Sequence, residues 1–238
     1  MSDASWVAAS DLATATFCPR QLYYARQADD RSPPPEEKAK QSLAFRYPEL
    51  RAMSDDELRN LPLSVPLPEY RENLDRLAER PDWAELCDPS GRDVLLTGKD
   101  CRGIADKILE RGSDEGDGGE SDGAPPVPPV PTLVSGGEPP ENGVWEPQAV
   151  RAVGIAKMLA WERGREIPHA LVEYPTAGVV RRVRLTVRRT ARYRGVLRTV
   201  QAIDGPPARI GDDAKCKACD YRAECGVKTR SLRSLFGL

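Results

Sequence analysis

The sequence predicts an α/β protein, and three observations carry that prediction. Short runs rich in β-branched residues stand at Val94–Thr97, Gly103–Leu109, Thr132–Ser135, Ala170–Tyr174 and Val179–Val187. Pro147–Arg163 places apolar residues at Val150, Val153, Ile155, Met158, Leu159 and Trp161, a helical spacing that predicts one buried side. The 238 residues, 39% of them hydrophobic, suffice for one sizeable core or for a core with a small appended subdomain.

In chain order, Ser10–Gln27 reads as helical, with Ser10 or Asp11 able to cap its first turn. Pro19 is costly inside a helix, so Cys18–Pro19 is expected to be a junction where one helix stops and the next starts with proline in its first turn. After Ser32–Pro35 come short helical pieces, including Ser54–Asn60 and Tyr70–Arg80. Two strands and a turn follow, ending at Leu109. Gly112–Pro131 is acidic and glycine-rich, then proline-rich, without periodicity, and is expected to be a disordered insertion. Beyond the long helix, a strand pair turns at Thr176–Gly178 and leads into a helix over Ala191–Ile203. The chain thus divides into a helical region with the first core strands (1–110), an insertion (111–131), the rest of the core (132–210), and a cysteine cluster with its tail (211–238).

The net charge of −2 conceals an asymmetry. From Glu146 onward there are 19 Lys and Arg against 9 Asp and Glu, whereas residues 1–145 hold 16 against 28. A basic half attracts phosphate backbones whatever the total charge, because screening limits exposed charges to a reach of roughly 8–10 Å. No run of about 18 apolar residues is present, and the N-terminus lacks the pattern of a secretory signal, so a cytoplasmic protein is expected. In that reducing setting, clustered cysteines point to metal rather than to disulfides.

Cys216, Cys219 and Cys225 form a C-x2-C-x5-C cluster. Two intervening residues let the first pair point at one centre, and the next five turn back to add a third sulfur. Thiolates suit zinc or an iron–sulfur cluster, and both stay open on spacing alone. Three ligands are incomplete. The candidates for a fourth are Cys18, Cys87, Cys101 and the only histidine, His169. Cys18 is favoured because it sits in FCPRQLYY beside a helix break, while Cys87 and Cys101 read as small buried hydrophobes.

The stretch ASDLATATFCPRQLYY, with Cys18-Pro19-Arg20 and Tyr23, followed near the other terminus by the three clustered cysteines, resembles the CRISPR-associated Cas-four exonucleases and their RecB-like relatives. The resemblance spans nearly the whole chain in motif order. It implies a restriction-endonuclease-like core of the PD-(D/E)XK type, and a 4Fe–4S cluster on Cys18, Cys216, Cys219 and Cys225 that joins the two ends of the chain. It further implies cutting of single-stranded DNA with Mg2+ or Mn2+, a part in preparing CRISPR spacers, and CRISPR integrase proteins as partners.

The nuclease motifs depart from that pattern. Phosphodiester hydrolysis needs a divalent cation held by hard carboxylate ligands. Asp106, closing Gly103-Ile104-Ala105-Asp106, matches the family's first metal-binding aspartate and is the candidate catalytic and metal-ligating residue. The acid-x-lysine that should follow in TLVSGGEPP falls on Leu133 and Ser135, or on Ser135 and Gly137 in a shifted register. The family's Gln-x-x-x-Tyr falls on Arg151 and Ile155. Glu138, Glu141 or Glu146 are the acids expected to rescue such a site, while Glu173 in LVEYP belongs to a later strand with Tyr174 at its aromatic position.

Val179–Arg198 holds eight arginines. Arg182 and Arg184 alternate with Val183, Leu185 and Val187, which predicts a strand with a cationic and an apolar face. Arginine forks fit phosphate oxygens, so Arg182, Arg184 and Arg20 are candidate phosphate contacts, and Tyr193 a candidate base-stacking residue. Two functions are therefore carried forward. One is an iron–sulfur DNA exonuclease; the other is a nuclease homologue with a decayed active site that binds DNA or a partner.

Overall fold

The computed structural model describes residues 6–28, 34–110 and 127–226. The predicted insertion lies largely outside the described residues. Its last two residues, Val130 and Pro131, instead open a strand.

Strand β1 is Val7–Ala8, followed by α1 (Ala9–Phe17) and α2 (Pro19–Gln27). The expected junction falls at Cys18, an extended residue (φ −159°, ψ 118°) with Pro19 opening the second helix. Five short helices come next: α3 (Pro35–Phe45), α4 (Tyr47–Ala52), α5 (Asp55–Arg59), α6 (Leu67–Ala78) and α7 (Trp83–Cys87). The start of α5 is set by a capping box, in which Ser54 and Glu57 satisfy each other's backbone N–H. The remainder is β2 (Gly91–Thr97), β3 (Cys101–Leu109), β4 (Val130–Val134), α8 (Glu146–Arg163), β5 (His169–Tyr174), β6 (Val179–Arg184), α9 (Val187–Gln201) and α10 (Asp213–Lys217).

Among the described residues the strands form one mixed sheet in the order β1-β3-β4-β5-β6, with β2 on the other edge of β3. β1 pairs with β3 and β4 with β5 in parallel; the remaining pairs are antiparallel. One face carries α1, α8 and α9. There Ala170, Val172 and Tyr174 of β5 share a core with Leu12, Val153, Ile155, Leu159 and Val196. Residues of opposite parity, Leu171 and Glu173, face the layer made by the short helices, whose own core includes Tyr47, Leu50, Tyr70 and Leu74. α8 is apolar nearly all round because it is covered by the sheet on one side and by α1 and α9 on the other. Trp161 departs from the predicted buried side: it is 63% exposed, while Ile155, Met158 and Leu159 are 1% exposed or less.

β6 stops at Arg184 instead of reaching Val187. Thr186 accepts a hydrogen bond from Arg189 N and so caps α9, which leaves Val187 exposed at its first position. Beyond the turn after β5, Gly178 has φ +66°, and a Cβ there would lie 2.7 Å from the Asn73 carbonyl oxygen, so only glycine fits. Among the described residues no helix is long and apolar enough to cross a membrane.

Candidate functional site: a four-cysteine pocket and a forked strand

Two neighbouring segments from opposite ends of the chain build the first site. Cys18 N donates to Thr14 O (2.9 Å), ending α1, and Cys18 O accepts from Leu22 N (3.2 Å), opening α2. The thiol therefore projects from an elbow fixed by proline chemistry. At the other end Asp212 caps α10 by accepting from Lys215 N (3.1 Å), and successive turns through Arg222 N to Cys219 O and Cys225 N to Tyr221 O fold the C-x2-C-x5-C run back on itself. The segments are tied by Arg20 Nη1 to Pro207 O (2.8 Å), by Lys215 Nζ to Phe17 O (3.3 Å), and by stacked Tyr24 and Tyr221 rings with centroids 6.4 Å apart.

Cys18, Cys216, Cys219 and Cys225 line one pocket, although 197 residues separate the first from the second. Cys87 and Cys101 do not; Cys101 is 1% exposed in the main core. His169 stands at the start of β5 in a different groove, its pKa lowered by burial and by Arg182 and Arg184. Among the described residues, four cations, Arg20, Arg209, Lys215 and Arg222, line the cysteine pocket, and no carboxylate does. Burial pushes the Cys219 thiol up, with Cys18 and Cys225 adding to the effect. Arg20 Nε and Gln21 Oε1 are buried there without a hydrogen-bond partner among the described residues. Among the described residues no three His, Cys, Asp or Glu side chains are grouped closely enough to hold a metal ion. A soft, all-thiolate donor set ringed by cations fits an anionic iron–sulfur cluster, whose thiolates each take a separate iron.

The second site lies where β3 and β4 part. Their last ladder pair is Lys107 with Thr132. Asp106 comes one residue earlier, opposite Asp93, whose φ of 50° interrupts the β2–β3 pairing. The alternation of β3 slips at this point, since Ala105 belongs to the α8 core while Lys107 reaches Tyr47 in the other layer. Asp106 Oδ2 accepts from Val134 N (2.6 Å), replacing the missing ladder bond, and Oδ1 lies 3.6 Å from Arg151 Nη2. Burial raises the Asp106 pKa, against the downward pull of Arg151 and of the Val134 N–H.

These surroundings do not fit a divalent cation. Among the described residues, the carboxylates that act most strongly on Asp106 are Glu173 and Asp93. Glu173 is 1% exposed and committed to Lys107 Nζ (2.7 Å), Tyr47 Oη (2.8 Å) and Thr132 Oγ1 (2.5 Å). Of the acids expected to complete the site, Glu138 and Glu141 are exposed, and Glu146 pairs with Arg192 at 2.5 Å. Leu133 is buried in the core, and Ser135 Oγ accepts from Nε2 of Gln148 (3.0 Å), while Gln148 Oε1 accepts a hydrogen bond from the Tyr174 hydroxyl. Sequence reasoning missed Arg151 as the partner of Asp106 and Lys107 as the partner of Glu173. Lys107, a charged residue that follows Asp106 inside a strand and precedes Ile108 and Leu109, was the available signal.

The candidate nucleic-acid residues separate. Arg182 and Arg184 are exposed on the side of β6 opposite buried Val183. Arg20 is half-buried and bonded to Pro207 O and Tyr24 Oη, so it is a strut of the cysteine pocket and not a free phosphate ligand. Tyr193 is 6% exposed, with its ring 3.1 Å from where a Gly154 Cβ would stand, which removes it as a base-stacking residue. No protein-family model matches the chain, and no curated protein sequence matches it.

Proposed function

We propose that this chain is an iron–sulfur protein on a restriction-endonuclease-like core, similar to the Cas-four exonucleases, that binds DNA and has lost the family's metal-dependent cutting. The convergence of Cys18 with Cys216, Cys219 and Cys225 carries the reading. Those four residues would hold a 4Fe–4S cluster, which supplies a multi-point crosslink between chain ends. Arg20, Arg209 and Lys215 then serve to neutralise its charge and to brace the two segments.

Loss of cutting rests on the fork. A buried carboxylate already bonded to a backbone N–H and facing a guanidinium is a poor ligand for Mg2+ or Mn2+, and the neighbouring Lys107 is committed to Glu173 instead of orienting water. Spacer preparation beside CRISPR integrase proteins is the role this kinship suggests, with the protein acting as a DNA-holding subunit.

Anaerobic purification tests the cluster: a brown protein with broad visible absorption and about four irons per chain is expected. A colourless protein retaining zinc would reject it. A labelled single strand with Mn2+ tests the second half. Binding without degradation is expected, whereas degradation abolished by Asp106→Ala would restore the nuclease reading.

A further inference from the structure

Helix α9 carries Arg188, Arg189, Arg192, Arg194 and Arg198 and no carboxylate. Two are used internally: Arg189 Nη1 donates to Arg184 O (3.3 Å), and Arg192 pairs with Glu146. Arg188, Arg194 and Arg198 are exposed and, among the described residues, make no hydrogen bond or ion pair. At 3.6 residues per turn, Ala191, Gly195 and Thr199 form a strip between Arg188 on one flank and Arg194 and Arg198 on the other. The strip is smooth, and a Cβ added at Gly195 would meet nothing within 4 Å.

Beside the Arg194 flank a groove of about 410 Å³ opens against the second half of α8 and the β2–β3 turn. Lys99, Lys157 and Arg194 line it, with Asp100 as the single carboxylate. Trp161 lines it too, the one large hydrophobic side chain of α8 that is left in solvent. An exposed indole among unpaired cations is the combination that holds an unpaired strand, since cations track the phosphates and every base offers a face to stack. A duplex keeps those faces covered.

We propose that a single-stranded nucleic acid lies along α9, its phosphates held by Arg188, Arg194 and Arg198 with Lys99 and Lys157, and one base stacked on Trp161. This deepens the DNA-binding reading and rests on it.

The test uses the full chain and fluorescein-labelled oligothymidylate. Trp161→Ala is expected to weaken binding about tenfold, and Trp161→Phe much less. Oligonucleotide quenches the tryptophan fluorescence of the unaltered protein, and the Trp161 share of that quenching disappears in both variants. Changing Arg188, Arg194 and Arg198 together to Ala lowers the slope of log affinity against log salt by about 2. Because all these side chains are exposed, melting temperatures should stay unchanged. If the variants bind as the unaltered protein does, the α9 track is wrong while DNA binding stands; if the unaltered protein binds no oligonucleotide, the DNA-binding reading falls with it. Displacement by polyglutamate as effective as by unlabelled oligonucleotide, with Trp161→Ala silent, would assign the arginines to an acidic protein partner and overturn the proposal.

Discussion

The Arg151 guanidinium faces the Asp106 carboxylate at 3.6 Å, across the fork where β3 leaves β4. A guanidinium built into α8 thus supplies a monovalent cation to one oxygen of the carboxylate. The opposite oxygen is held by Val134 N, so the carboxylate has become part of the backbone ladder. Asp106 acts here as a hinge pin of the sheet.

Asp106→Asn keeps an acceptor for Val134 N and removes the charge. The folded protein holds the Asp106 pKa above its unfolded value of about 3.9. Its stabilising contribution is therefore full below that value and is lost as pH rises through the folded pKa. The melting temperature of the Asn variant relative to the parent should rise from pH 4 to pH 8. A difference that shrinks with pH would mean that the Arg151 pairing outweighs burial.

Lys107 and Glu173 are each 1% exposed and share Tyr47 between them. Lys107→Met leaves a buried carboxylate without its counter-ion and should cost about 3–5 kcal/mol in urea unfolding. Adding Glu173→Gln should recover a large part of that loss. An additive double variant would show that the two charges act independently.

Cys18→Ser is expected to abolish the visible absorption and lower the iron content, and the melting temperature should drop because a bound group stabilises only the folded chain. Cys87→Ala and Cys101→Ala should keep full iron, although Cys101→Ala leaves a small void in the core. Full iron in Cys18→Ser would misassign the fourth ligand.

Gly178→Ala should destabilise by at least about 1–2 kcal/mol from its left-handed backbone alone. The clash with Asn73 adds to this, because Asn73 Nδ2 also holds the turn through Thr176 O (2.7 Å). Chemical denaturation of the single variant checks it.

The sequence by itself determined the features that depend on near neighbours. Pro19 forced the break at Cys18, the Ser54 and Glu57 spacing capped α5, and period-two and helical patterns located β2 to β6 and α8 to within a few residues. Only the tertiary structure decided which distant groups meet. Arg151 neutralises Asp106 across 45 positions of chain, Lys107 finds Glu173 through the slip in β3, Tyr193 disappears beneath α8, and Trp161 emerges where α8 outruns its cover. Local pattern fixes backbone conformation and the average facing of a side chain. Charge pairing and the exposure of a single ring depend on how layers stack, and that is set by the whole core at once.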